Sequence, residues 1–214
     1  MGPDHPLPGS HGEHALQRRH GTERRARSFY DHQVLDRLNE QMRGFIAAQE
    51  MVFVSTADAG GNCDCSIRVG PPGFVRVVDE RTLAYPEYRG NGVMASLGNI
   101  TENGYVGLLF VDFFRTTVGC HVNGAARVAE NEALLAEGGP LRVAVEETLA
   151  DTAGRRPERW VVVSVEEAYI HCSKHVPLLA KRDKDILWGT DDPAAKGGDH
   201  FGARDLPRPW RCEE

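Results

Sequence analysis

The chain has no long apolar run. Its longest clean one, Val106 to Val111, spans six residues, far short of the roughly 20 that a membrane-crossing helix needs. No apolar stretch follows the basic residues near the N-terminus, so a secretory leader is not expected. Positive charge is not in excess either. Lys and Arg total 25 against 31 Asp and Glu, a net charge of −6, which argues against a nucleic-acid binder and favours a small-molecule or protein partner. Cysteine is sparse: five residues, at 63, 65, 120, 172 and 212. An odd count without an export signal reads as reduced thiols in a cytoplasm. No internal repeat is visible. What remains is an ordinary soluble composition, 41% hydrophobic and 26% charged over 214 residues, which excludes a wholly disordered chain or a coiled coil and suits one packed domain with tails.

Three regions follow. Residues 1–27 read as a flexible lead-in, with Pro3, Pro6 and Pro8 and four scattered histidines, His5, His11, His14 and His20. The scatter does not suggest a metal site, and Thr22 fits as a helix N-cap. Residues 28–180 carry the periodic patterning of a packed domain. Residues 181–214 are rich in Gly, Pro and charge and read as an extension rather than a second core.

Within the domain the period changes. Phe29, Leu35, Leu38, Met42, Phe45 and Ile46 fall near one stripe, which predicts a helix over 28–49. Met51 to Ala57 and 63–69 alternate around the turn residues Asp58 to Asn62, a hairpin pattern. Further strands are predicted over Phe74–Val78, Thr82–Tyr85, Tyr105–Asp112, Thr116–Ala129 and Arg159–Ile170. The first four form a meander. Short helices are expected over 92–102, 131–137 and 141–150. Strands joined mainly by hairpins, with helices at the periphery, describe a mainly β (α+β) fold: a closed or partly closed antiparallel barrel.

The segment from Tyr85 to Ile100 is the most informative. A strand ends, Gly90 and Gly92 flank Asn91, and a helix begins. Glycines let main-chain N–H groups approach a ligand, and a helix start adds unpaired donors, which together suit phosphate. Ser96 and Asn99 lie off the apolar face of that helix and can donate as well. On the strand over 63–69, Ser66 and Arg68 share a face by alternation, and a guanidinium there can clamp a phosphate. The bland alternatives are a helix cap with turn glycines and a solvent-facing arginine.

The order of these motifs carries a resemblance. A phosphate-type turn, a helix ending Glu102-Asn103-Gly104, the apolar strand Val106-Gly107-Leu108-Leu109-Phe110 and then Val122-Asn123-Gly124-Ala125 resemble the pyridoxamine 5′-phosphate oxidase-like flavin-binding family. Gly70-Pro71-Pro72-Gly73-Phe74-Val75 is similar to an uncharacterised bacterial branch of it. The resemblance spans roughly residues 30–175 and implies a split β-barrel homodimer with FMN at the subunit interface. It implies that Ser66, Arg68, Tyr85, Pro86, Asn91, Gly92, Val93, Ser96 and Asn99 surround the phosphate and ribityl chain, and that His121 lies near the flavin. The family's basic residues at the turn are missing here, and Lys174 or His171 after the last strand would supply that charge. His121 and Tyr88 are the candidate proton donors to a small-molecule substrate. The expected activity is two-electron oxidation or reduction by a flavoprotein. The alternatives are a non-catalytic carrier of flavin, F420 or haem, and a zinc-stabilised interaction module should Cys63, Cys65, His171 and His175 converge.

Overall fold

The computed structural model describes residues 7–150, 156–187, 192, 197–208 and 210. Among them are helices α1 (His11–His20), α2 (Glu23–Gln33), α3 (Glu40–Ala47), α4 (Ala95–Glu102), α5 (Asn131–Glu137) and α6 (Gly139–Ala150). The strands are β1 (Val34–Leu35), β2 (Met51–Ala57), β3 (Cys63–Val69), β4 (Arg76–Val77), β5 (Thr82–Glu87), β6 (Tyr105–Val111), β7 (Gly119–Glu130) and β8 (Arg159–His171). All eight join one antiparallel sheet in the order β3-β2-β6-β7-β8-β5-β4, with β1 on the far end of β8. The path does not close.

The sheet is nevertheless strongly curled. Val52 and Val54 of β2 share one buried cluster with Leu108 and Phe110, Val122, Val161 and Val163, and Leu83 and Tyr85 of β5. Strands β2 and β5 stand four places apart in the sheet, so the inner faces meet by curvature. The seam between β3 and β5 stays unpaired, and α4 fills it, packing on β2 and β3. Opposite, α5 and α6 cover the outer side of β5, β7 and β8 with Leu134 and Val145 against Ala84, Ala129, Trp160 and Val162. The indole N–H of the fully buried Trp160 donates to Asn131 Oδ1 at 2.9 Å, which satisfies the one polar atom that this burial would strand.

Several expectations change. The helix over 28–49 is broken: β1 pairs Val34 and Leu35 with Tyr169 and Ala168, and Asn39 caps a new helix by accepting from the Met42 N–H at 2.9 Å. Residues 11–20, read as a loose lead-in, form α1 behind a reciprocal Ser10/Glu13 capping box. Ser-x-x-Glu at 10–13 is the signal that the proline content masked. Thr22 does occupy an N-cap position but makes no side-chain cap bond. The predicted meander is wrong in one link, because β3 is an edge strand and the chain crosses the seam to reach β4. Strand Phe74–Val78 shrinks to Arg76–Val77, while β5 runs on through Pro86 to Glu87.

Candidate functional site

Strand β3 points Asp64, Ser66 and Arg68 to the face it shares with the buried Thr56, Val54 and Val52. As β3 is an edge, these side chains open on the seam. There the Arg68 Nε donates to Glu87 Oε1 at 2.7 Å and Nη1 donates to Ser66 Oγ at 2.9 Å. Ser66 and Ser96 hydroxyls lie 2.9 Å apart, and Ser96 donates to Asp64 Oδ2 at 2.9 Å. One chain of polar contacts therefore runs from α4 through β3 to β5 and bridges the split. Glu87 is 8% exposed, and burial raises its carboxyl above the ordinary range despite the opposing charges of Arg68 and Arg159. Beside it the fully buried Tyr85 hydroxyl has no hydrogen-bond partner among the described residues. Burial and then the Glu87 charge push its ionisation far up.

The turn before α4 is built for close approach. The Val93 N–H donates to Asn91 Oδ1 at 3.0 Å, Gly92 has φ +82, and Met94 sits in the left-handed region at φ +56. Left-handed backbone is unfavourable for methionine and persists where its surroundings demand it. No side chain caps α4, which leaves its first N–H groups without a side-chain acceptor in the turn that holds Ser96 against Ser66 and Asp64. Asn99, by contrast, spends its amide on Thr56 Oγ1 at 3.0 Å and fastens α4 to β2.

A second polar group lies on the outer face. His121 of β7 pairs with Tyr169 of β8 and stacks on its ring at 4.6 Å between centroids. Its Nε2 is 3.0 Å from His171 Nδ1. Burial and then the neighbouring His171 depress the basicity of His121. A histidine with a lowered folded value binds fewer protons folded than unfolded, so its contribution is present above the ordinary value of 6.5 and lost as pH falls below it. Acidification from about pH 7 to about pH 5 should therefore lower the denaturant midpoint of the parent relative to that of His121→Phe, a comparison in which the opposing contribution of Glu87 cancels.

The sequence pattern of the pyridoxamine 5′-phosphate oxidase family matches residues 38–172. The chain belongs to that family. Its similar solved structures include HupZ of Group A Streptococcus, 25% identical over 60% of this chain and 90% of that one, TM-score 0.44. An FMN-binding protein of Syntrophomonas wolfei is 15% identical over 74% of this chain and 96% of its own, TM-score 0.43. The haem storage protein HutZ of Vibrio cholerae is 12% identical over 63% and 94%, TM-score 0.39. No curated protein matches the chain.

The structure brings Ser66, Arg68 and Ser96 together at the seam, and Asn91, Gly92 and Val93 form the turn that leads into α4. Tyr85 reaches the same seam only through its hydroxyl beside Glu87, and Pro86, Lys174 and His121 are not gathered there. Tyr85 and Pro86 are neighbours inside β5 and point to opposite faces: Tyr85 into the inner core, Pro86 towards the side that pairs with Trp160. Both are buried, so they do not line one site together. Lys174 is exposed in a 3-10 turn, Ser173–His175, after β8, four strands across the sheet from β3. Within one chain it does not replace the basic residues missing from the turn. His121 lies on the opposite face of the sheet from Arg68, and half-buried Tyr88 follows directly on β5. Cys63 and Cys65 on β3 are not drawn to His171 and His175, and no group of three or more metal-ligating side chains forms among the described residues. The zinc-module reading thereby loses the convergence it required. Cys212 lies outside the described residues. Asp64, Glu87 and Arg159 were missed, although alternation alone puts Asp64 on the face of Ser66 and Arg68, and Glu87 on that of Tyr85.

The seam fits a phosphate in its donor set: two hydroxyls, a guanidinium and an uncapped helix start. Asp64 and Glu87 are the opposing feature, since an arriving anion must take Ser96 and Arg68 from them.

Proposed function

We propose that the chain is a flavin-binding oxidoreductase that acts as a homodimer on a small molecule, with FMN as its cofactor. The observation that carries this reading is the Arg68–Ser66–Ser96 chain beside the uncapped, glycine-preceded start of α4, in a member of this family. Arg68, Ser66, Ser96 and the main chain of residues 92–96 would hold the phosphate. The flavin, when bound, supplies the two-electron chemistry, and the protein supplies binding, orientation and electrostatics. His121 is a proton donor or acceptor on the substrate side, together with Tyr88. Since His121 and Arg68 lie on opposite faces of one sheet, they serve a common site only across two copies.

The outer face of the edge suits such pairing. Ile67 and Val69 of β3 are 47% and 39% exposed, and half-buried Phe53 and Leu109 continue the apolar surface towards His121. Large exposed apolar patches of this kind mark interfaces. Cys63, Cys65 and Cys172 are exposed free thiols, which suits a reducing cytoplasm. Among the described residues no helix is long and apolar enough to cross a membrane.

One observation favours a second reading, a carrier of haem: the paired, half-buried imidazoles of His121 and His171. Purified protein separates the two. Yellow protein that releases FMN on denaturation, is bleached by a nicotinamide and is recoloured by an acceptor supports the oxidoreductase. A Soret band that vanishes in His121→Ala, with no releasable flavin, supports the carrier. Colourless protein that takes up neither FMN nor hemin overturns both.

A further inference from the structure

The structure holds a cavity away from the seam, which the flavin reading does not use. Helices α1 and α2 form an ordered hairpin above the outer face of β7 and β8. The Ser10/Glu13 capping box starts it, Gly21 in the left-handed conformation turns it, and the Gln17 side chain donates to Tyr30 Oη at 2.7 Å. Yet neither helix contains a buried residue. The hairpin is fastened to the sheet by the edge-on contact of Phe29 with Tyr169, 5.9 Å between centroids, and by β1 pairing. Between hairpin and sheet lies a cavity of about 510 Å³, within the range of small-molecule sites. Residues 9–34 of its lining precede the stretch that matches the family.

The lining states what would enter. Glu13 reaches in from α1 and Glu167 from β8, while Phe29, Tyr30 and Tyr169 supply aromatic walls. Glu167 Oε2 accepts from Asn123 Nδ2 at 2.9 Å, which holds the carboxylate in place and leaves its second oxygen for a ligand. Burial raises the ionisation of the Tyr169 phenol, Asn123 opposes it, and the charges of Glu167 and Glu13 raise it further, so both carboxylates bear on one spot. Among the described residues of the lining, the single cation is the exposed Arg25. Two carboxylates against one arginine, with aromatic faces between, repel an anion and attract a cation through both charge and ring quadrupole.

We propose that the cavity under the α1–α2 hairpin binds a small organic cation, a protonated amine on a flat apolar frame, with the ammonium between Glu13 and Glu167 and the frame against Tyr30, Phe29 and Tyr169. The test uses the full chain without added flavin, so that its failure says nothing about the seam. Phenethylamine, 2-phenylethanol and phenylacetate are titrated by calorimetry; they share one frame and differ in charge. Phenethylamine should bind, 2-phenylethanol about tenfold or more weaker, and phenylacetate not at all. Glu167→Gln keeps an acceptor for Asn123, and Glu13→Gln keeps the capping box, so both should fold with unchanged melting. Each should weaken the amine about tenfold and leave the alcohol unchanged. Equal affinity for amine and alcohol, indifference to both variants, or no binding of the amine overturns the proposal.

Discussion

Arg68→Ala is expected to remove two things at once: affinity for a flavin that carries a phosphate, and stability that depends on pH. The first follows from the donors at the seam. Arg68 is its one guanidinium on β3, and a charge-assisted contact to phosphate is worth about 1.5–3 kcal/mol, roughly ten- to a hundredfold in affinity. FMN should weaken by that factor and riboflavin, which lacks the phosphate, should not. If FMN is retained as tightly as in the parent, the assigned role of Arg68 is wrong. The second follows from Glu87. The ion pair is largely buried, with side-chain exposures of 21% and 11%. Breaking a fully buried pair from one side costs about 3–5 kcal/mol, and the partial exposure here reduces that to about 2–3 kcal/mol. The sign with pH is fixed by the direction of the Glu87 shift. Its folded value lies above the ordinary 4.5, so the folded state binds the extra proton; stability is highest below 4.5 and falls as pH rises through the folded value. Removing Arg68 raises that value further. The stability loss should therefore be small near pH 4.5 and full at about pH 8. Adding Glu87→Gln to Arg68→Ala should recover most of it and flatten its pH dependence, measured by urea unfolding at both pH values.

The same residues show how far sequence alone reaches. Alternation placed Ser66 and Arg68 on one face, and the hairpin around Asp58 and Asn62 fixed the β2–β3 register, because side-chain period and turn chemistry are local properties. The seam was not local. Which strand faces β3 depends on the order β3-β2-β6-β7-β8-β5-β4, and nothing in the meander-like spacing announces that β3 is an edge. Glu87 therefore went unread as the partner of Arg68, 19 residues on in the chain. Tyr85 and Pro86, which the family resemblance places together at the cofactor, part for a local reason: neighbours in a strand send their side chains to opposite faces. The helix stripe over 28–49 breaks because Leu35 fits a helix period and, with Val34, also fits a strand, and pairing with β8 decides between them. His121 and His171 stand 50 residues apart; only the β7–β8 register brings them into contact.

That register rests on one position, and Gly124→Ala should damage the fold more than any surface change. Between Asn123 and Gly124 the β7–β8 ladder shifts: Asn123 pairs with Glu167, Gly124 with Val165, and Glu166 is the extra residue of a bulge. The backbones close so tightly there that a Cβ on Gly124 would lie 2.0 Å from the Ser164 carbonyl oxygen and 3.2 Å from the Glu166 nitrogen. Both are main chain, so no rotamer relieves the clash and the strands must separate or slip. A cost of about 3 kcal/mol or more is expected, at the top of the usual range for single substitutions. Gly98→Ala is the matched control. It lies inside α4 with nothing within 4 Å of its would-be Cβ, and alanine should stabilise the helix by about 0.5–1 kcal/mol. Opposite shifts in the urea midpoint for the two variants would separate backbone approach from intrinsic propensity. If Gly124→Ala melts with the parent, the bulge does not set the register. A slip of β7 by one residue would turn His121 and Asn123 to the inner face while Tyr169 and His171 of β8 stay outside. The loss should then be visible in the His121 titration before the chain unfolds, because the stacked Tyr169 and the paired His171 would no longer face it.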